Sequence, residues 1–152
     1  MKALLQRVSK ASVSVDGEVV GQIGRGLIVF LGISREDTAR DAQYLAEKTV
    51  NLRIFSDSEG RFNLSVRDTW GDLLVVSQFT LLADTKKGRR PSFTEAAPPE
   101  QADALFEQFL EFLRSSGLRV ESGRFGQHML VEIHNDGPVT ILLDSKEKYP
   151  EA

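Results

Sequence analysis

The run Leu73 to Leu82, LLVVSQFTLL, constrains the fold more than any other stretch. A charge-free segment this rich in Leu and Val reads as a strand buried on both faces. Ser77, Gln78 and Thr80 nevertheless sit inside it. Burying a hydroxyl or amide without a partner costs roughly 1–3 kcal/mol, so these groups must be hydrogen-bonded internally or must face a lined cavity. Two readings stand open: a core strand whose hydroxyls bond back to nearby backbone, or a strand that forms one wall of a site. If the extended geometry persists to Leu82, alternation puts Ser77 and Phe79 on one face and Gln78 and Thr80 on the other.

Residues 2 to 33 predict three strands. Ala11 to Val15 alternates, Asp16-Gly17 is a two-residue hairpin signal, and Glu18 to Ile23 carries the chain back. Gly24-Arg25-Gly26 then breaks the chain before Leu27 to Leu31, a second strand expected to be buried on both faces. Arg7 lies among apolar neighbours in the first strand. Its guanidinium either reaches solvent along its stem or braces a carbonyl-rich loop with several donors. A helix is expected to start near Ser34 to Thr38 and to run to about Leu52, with Ala42, Leu45, Ala46, Thr49 and Val50 as its apolar stripe. Phe55 to Asn63 is a turn-rich excursion. The alternation of strands and helices argues for an α+β or α/β domain with a mixed sheet.

Beyond the central run, Lys86, Lys87, Arg89 and Arg90 crowd a segment punctuated by Gly88 and Pro91, which predicts an exposed basic loop. Such loops are commonly just solvated, but this one follows the polar-in-apolar run directly, and a phosphate held there would lie beside the candidate site. Pro98-Pro99-Glu100 opens a second helix with Ala102, Leu105, Phe106, Phe109, Phe112 and Leu113 on its core face; it carries no functional signal. Met129 to His134 and Val139 to Leu143 are strand-like, and Asn135-Asp136-Gly137-Pro138 between them reads either as a hairpin connection or as a corner presenting carbonyls at fixed angles. Only about 5–6% of X-Pro bonds in folded proteins are cis, so the residues alone do not assign the Gly137-Pro138 bond.

Composition removes several chemistries. With 152 residues the chain has one domain's length and buries about 70% of its unfolded surface on folding. It has no Cys, which excludes disulfides, thiolate catalysis and Cys-based metal sites. The opening MKALLQRVSK lacks an apolar signal core and no later run approaches a membrane span, so a soluble cytoplasmic protein without a membrane partner is expected. A net charge of −3 argues against a general nucleic-acid coat while leaving room for a local basic patch. There is no GxSxG elbow, Walker loop or GxGxxG. His128 and His134 are the only histidines and have no arranged carboxylate partner; a His134–Asp136 metal site is conceivable, but a histidine beside a turn is more often an ordinary hydrogen-bonding residue, and no metal or other cofactor is expected. A hydrolase built from this inventory lacks an obvious general base.

Ser77-Gln78-Phe79-Thr80-Leu81, Ala83-Asp84 with Lys87-Gly88 and Arg90-Pro91-Ser92-Phe93, and Asn135-Asp136-Gly137-Pro138-Val139-Thr140 together resemble the signature motifs of the D-aminoacyl-tRNA deacylases. Gln6-Arg7-Val8, the hairpin around Gly17, the stretch Gly21 to Gly32 and Phe125-Gly126 also fit that pattern, so the resemblance covers nearly the whole chain. Gln127-His128 lies in a variable stretch.

The resemblance implies a single α+β domain over residues 1–150, with a mixed, barrel-like sheet flanked by two helices. It implies a homodimeric cytoplasmic enzyme that hydrolyses the ester joining a D-amino acid to the 3′ end of tRNA, with glycyl-tRNA not fully excluded. Carried over residue by residue, Ser77, Gln78, Phe79 and Thr80 form the catalytic pocket. Gly137 and Pro138, inserted from the other subunit through a cis bond, hold the substrate's α-ammonium and leave no room for an L side chain; Arg7 braces that corner, and Met129 joins the substrate-binding set. Lys86, Lys87, Arg89 and Arg90 contact tRNA phosphates. An aminoacyl ester is already activated, so positioning plus backbone N–H stabilisation of the oxyanion could replace a base. Thr80 as a nucleophile is the weaker alternative, because nothing activates its hydroxyl. Two other classes remain: a nucleic-acid-binding module without turnover, and a small-molecule esterase using Ser77 or Thr80, which the lack of a triad disfavours.

Overall fold

The computed structural model describes residues 1–148. Its strands are β1 (Lys2–Val15), β2 (Glu18–Ile23), β3 (Gly26–Gly32), β4 (Phe55–Ser56), β5 (Phe62–Leu64), β6 (Asp72–Ser77), β7 (Val120–Ser122) and β8 (Leu130–Asp144), with helices α1 (Ala39–Asn51) and α2 (Pro99–Arg114). The main sheet runs β2-β1-β3-β6-β7, with β8 on the other side of β1. Strand β1 pairs antiparallel with β2, β3 and β8, whereas β3–β6 and β6–β7 are parallel. The far edges approach each other as well: Arg119 Nη2 donates to Gln22 O at 3.2 Å, and a Cβ on Gly21 would lie 2.8 Å from Ser122 O. The sheet thus curls into a nearly closed barrel.

Alternation explains why β3 and β6 carry no exposed face. Leu27, Val29, Leu31, Leu73 and Val75 point to the helices, while Ile28, Phe30, Leu74 and Val76 fill the barrel with Val8, Ala11, Val13 and Ile23. Helix α1 starts from a capping box between Thr38 and Asp41, and its buried residues are Ala42, Leu45, Ala46, Thr49 and Val50, the stripe read from the sequence. Helix α2 buries Ala102, Leu105, Phe106, Phe109, Leu110 and Leu113; Leu110 joins the expected stripe and Phe112 is only partly buried. No helix among the described residues is long and apolar enough to cross a membrane.

One expectation about local geometry is corrected, and of the two readings open for residues 135–138 one is decided. The central run is not one strand to Leu82: extension stops at Ser77, and Phe79–Leu82 winds into a 3-10 turn. The reason is pairing, since β3 supplies partners only as far as Leu31, opposite Ser77, and the last N–H of the run to reach β3, from Gln78, goes to Leu31 O at 2.8 Å. Without a further neighbour the chain satisfies its own groups, Leu81 N–H donating to Gln78 O at 3.2 Å. Of the two readings of residues 135–138, the corner is formed and the hairpin is not. Both halves of β8 run antiparallel along β1, Leu130–Asn135 beside Ser14–Val8 and Thr140–Asp144 beside Gln6–Lys2, so Asp136 to Val139 bulge out opposite Arg7 alone.

Phe109 of α2 is fully buried in the core, whereas Glu107, two residues earlier on the same helix, is exposed. Phe109→Ala is expected to lower unfolding free energy by about 3–5 kcal/mol, and Glu107→Ala to stay within about 0.5 kcal/mol of the parent, both read from urea denaturation midpoints.

Candidate functional site

The end of β6 opens onto a cavity of about 560 Å³ whose lining includes Ser77, Phe79, Phe93, Pro99, Phe125 and Met129. Its walls come from separate parts of the chain. Ser77 is the last residue of β6, Phe79 begins the 3-10 turn, Pro99 and Ala102 belong to the first turns of α2, and Phe125 to Met129 lead into β8. Phe79 remains 56% exposed although it is aromatic, and Phe93 packs edge-on against it with ring centroids 5.0 Å apart. That contact pins the end of the basic loop beside the cavity.

The polar groups around the turn are arranged without an acid–base pair. Gln78 Nε2 donates to Thr80 Oγ1 in a short contact, so the Thr80 hydroxyl meets an amide, which has no basicity. Among the described residues, neither the Phe79 nor the Thr80 N–H has an acceptor within the chain, as expected for the opening residues of a helical turn. Both therefore remain available to an outside oxygen. His134 is occupied elsewhere, 3.2 Å from Glu132 Oε1 on the exposed face of β8, and no group of three or more His, Cys, Asp or Glu residues is placed to hold a metal among the described residues.

The Gly137-Pro138 corner stands apart from this cavity. Its peptide bond is cis, both residues are exposed, and Asn135 closes the bulge by accepting Val139 N–H at 2.9 Å and donating to Thr140 Oγ1 at 3.0 Å. Arg7 braces it from β1, the second of the two readings open in the sequence. Its Nε donates to Asp136 O at 3.0 Å, and its Nη1 reaches Ile54 O at 2.9 Å. The guanidinium lies 5.9 Å from the Phe55 ring centroid and 5.5 Å from that of Phe62, on the β4–β5 hairpin. Asp57 ties the turn of that hairpin, and the Arg61 and Glu59 N–H groups donating to it hold its carboxyl below the usual range. Gly137 has φ 134°, and a Cβ there would fall 2.9 Å from Val139 Cγ2 and 3.1 Å from Arg7 Nη2, so only glycine fits the corner as built.

Within one chain, then, Ser77, Phe79 and Met129 share a cavity, with Gln78 and Thr80 on the adjoining turn. Arg7 and Asp136 line a different cavity of about 350 Å³. Lys86, Lys87, Arg89 and Arg90 are all exposed, and none forms an ion pair among the described residues. Sequence reasoning gave α2 no place in a site, yet Pro99 and Ala102 line the cavity, as does His128 from the stretch read as variable. The available signal was side-chain volume: Ala96, Ala97, Pro99 and Ala102 are small where α2 meets the sheet, and that is where space is left.

Comparison with known proteins agrees over nearly the whole length. A family model described as D-Tyr-tRNA(Tyr) deacylase matches residues 4–144. A protein of Dehalococcoides mccartyi named D-aminoacyl-tRNA deacylase is 60% identical over 148 residues, 97% of each chain. One of the same name from Fervidobacterium nodosum is 56% identical over 149 residues, covering 98% of this chain and all of the relative. Among solved structures, one titled c-Myc DNA Unwinding Element Binding Protein superposes with a TM-score of 0.89 at 47% identity, over 95% of this chain and 98% of its own. Another, titled as a probable eukaryotic D-amino acid tRNA deacylase, shares the fold with a TM-score of 0.80 at 21% identity, over 93% and 97% of the two chains.

Lysine keeps the charge at position 7 but offers one ammonium where two separate carbonyls are bound, and it has no plane to lay between the two rings. Arg7→Lys is expected to cost about 1–2 kcal/mol of unfolding free energy, and to shift the amide resonances of residues 54–56 and 136–139 while leaving those of α2 in place.

Proposed function

This chain belongs to the D-Tyr-tRNA(Tyr) deacylase family, and from that premise we propose the reaction, its machinery and its stereochemical filter. The protein is a D-aminoacyl-tRNA deacylase, an enzyme that hydrolyses the ester between a D-amino acid and tRNA and releases both. The observation that carries the mechanism is the pair of unpartnered amides at Phe79 and Thr80, two exposed residues that follow Ser77, with Phe79 itself lining the cavity. Water attacks the ester carbonyl carbon, the two N–H groups receive the developing oxyanion, and the bond to the ribose oxygen breaks to give the free carboxylic acid and the tRNA hydroxyl. Gln78 has its Nε2 committed to Thr80, which leaves Oε1 to orient the water, alone or with the RNA's 2′-hydroxyl. Thr80 serves as a fixed partner for Gln78 and not as nucleophile, since an amide cannot take its proton.

Chirality is set by Gly137 and Pro138 of a second copy. Support for this comes from the separation just described: the corner is exposed, rigidly braced by Arg7 and Asn135, and remote from the cavity of its own chain. In a homodimer each corner enters the partner's cavity, accepts the substrate's α-ammonium on its carbonyls, and blocks the space an L side chain needs. Met129 lines the wall of that cavity. A D side chain points outward, so many D-amino acids are accepted, and glycine, with nothing to clash, is hydrolysed as well. The exposed Lys86, Lys87, Arg89 and Arg90 take the acceptor-end phosphates, in a cytoplasmic setting where tRNA is found.

A second reading, nucleic-acid binding without turnover, rests on the 47%-identical solved structure whose title names it for a DNA element. The two readings part on one assay. Matched D- and L-tyrosyl-tRNA at the same low enzyme concentration should show rapid loss of the D ester, with the L ester near its enzyme-free rate; equal background decay of both would leave the binding module as the better account. Thr80→Ala is expected to keep kcat within about tenfold of the parent, and its complete inactivity in a folded protein would instead make Thr80 the nucleophile.

A further inference from the structure

Strand β3 ends at Gly32, and the chain leaving β6 crosses directly over it. Gln78 N–H docks on Leu31 O at 2.8 Å, which brings the Gln78 carbonyl and the first residues of the 3-10 turn against the last Cα of β3. A Cβ placed on Gly32 would lie 3.1 Å from Gln78 O and 3.0 Å from Leu81 Cβ. The φ of Gly32 is outside the left-handed region, so alanine is conformationally allowed there and the need for glycine is one of space.

The atom nearest this gap on the backbone side matters. The carbonyl of Gln78 and the N–H of Phe79 belong to one planar peptide unit, so tilting one tilts the other. We propose that Gly32 is a positioning residue for hydrolysis: its absent side chain lets the Gln78–Phe79 peptide lie flat on the end of β3, and that plane aims the Phe79 N–H at the ester carbonyl. The inference rests on the oxyanion role assigned above to Phe79. It differs from the role of the other crowded glycines. Gly21, Gly26 and Gly71 meet Ser122 O, Asp72 O and Val66 Cγ2, none of which lines the cavity, and the crowding atom at Gly123 is the flexible thioether sulfur of Met129. At Gly32 the two obstructing atoms, Leu81 Cβ and Gln78 O, both belong to the segment carrying the Phe79 amide, so a side chain there displaces that segment first.

The test compares the parent, Gly32→Ala and Gly24→Ala on D-tyrosyl-tRNA, with steady-state kinetics, thermal melting and the amide resonance of Phe79. Gly24 is the control because a Cβ there meets only Asp72 Oδ2 at 4.0 Å. Gly32→Ala is expected to lower kcat by about tenfold or more, with KM within about twofold, a cooperative melt near the parent's, and a displaced Phe79 amide signal. Gly24→Ala should match the parent in all of these. Unchanged kcat in Gly32→Ala overturns the proposal, as does a Gly32→Ala protein without a cooperative melt, because the strain would then fall on the core and not on the turn. A parent enzyme that fails to hydrolyse the D ester sinks the functional reading itself, whereas an active parent with an indifferent Gly32→Ala sinks only the role of Gly32.

Discussion

The parallel pairing of β3 with β6 is the constraint on which the rest of the structure depends. Its residues are buried on both sides, by the helices on one and by the barrel interior on the other, so neither strand can slip by one position without turning an apolar row toward the wrong core. Register is therefore fixed, and with it the point where pairing runs out, at Leu31 opposite Ser77. The site begins there because the ladder ends there. A backbone that has lost its neighbour must satisfy or expose its own groups, and the 3-10 turn does both: it gives Gln78 O the Leu81 N–H and leaves the Phe79 and Thr80 amides without an acceptor among the described residues.

Most of the architecture was legible from patterning. The alternation of Ala11 to Val15, the hairpin at Asp16-Gly17, the doubly buried run Leu27 to Leu31, the helix start near Ser34 to Thr38 and the stripes of both helices all recur in the structure within a residue or two. The misreadings share a physical cause. Leu73 to Leu82 is apolar enough to be a strand throughout, but strand formation needs a partner, and the sequence of one strand does not state where its neighbour stops. Asn135 to Pro138 carries the breakers of a reversal. Whether breakers reverse a chain or merely bulge it depends on what lies alongside, and here β1 continues past on both sides. Arg7 shows the opposite case: two readings were open, and the spatial neighbours Asp136 O and Ile54 O, distant in sequence, decide between them.

The family motifs singled out residues that the periodicities could not, while part of the cavity's lining was written in neither. Pro99, Ala102 and His128 reach it because α2 begins beside β6 and because the turn before β8 passes its mouth. Small side chains where a helix meets a sheet are a weak signal on their own, since they are also what close packing demands. They become informative only when the surrounding rows fix how near the helix can come.

Electrostatics completes the argument for how a chain of net charge −3 can serve an anionic polymer. Screening confines each charge to roughly 8–10 Å at cellular ionic strength, so the total matters less than the sign of what surrounds the site. Phe93 holds the end of the loop carrying Lys86, Lys87, Arg89 and Arg90 against Phe79 at the cavity mouth, and none of the four is neutralised by an ion pair among the described residues. The remaining acidic surface then disfavours nonproductive contact with RNA elsewhere. Under the proposed function a polyanion would be drawn to this loop, and the edge-on contact of Phe93 with Phe79 would couple the electrostatic handle to the turn that carries the two unpartnered amides.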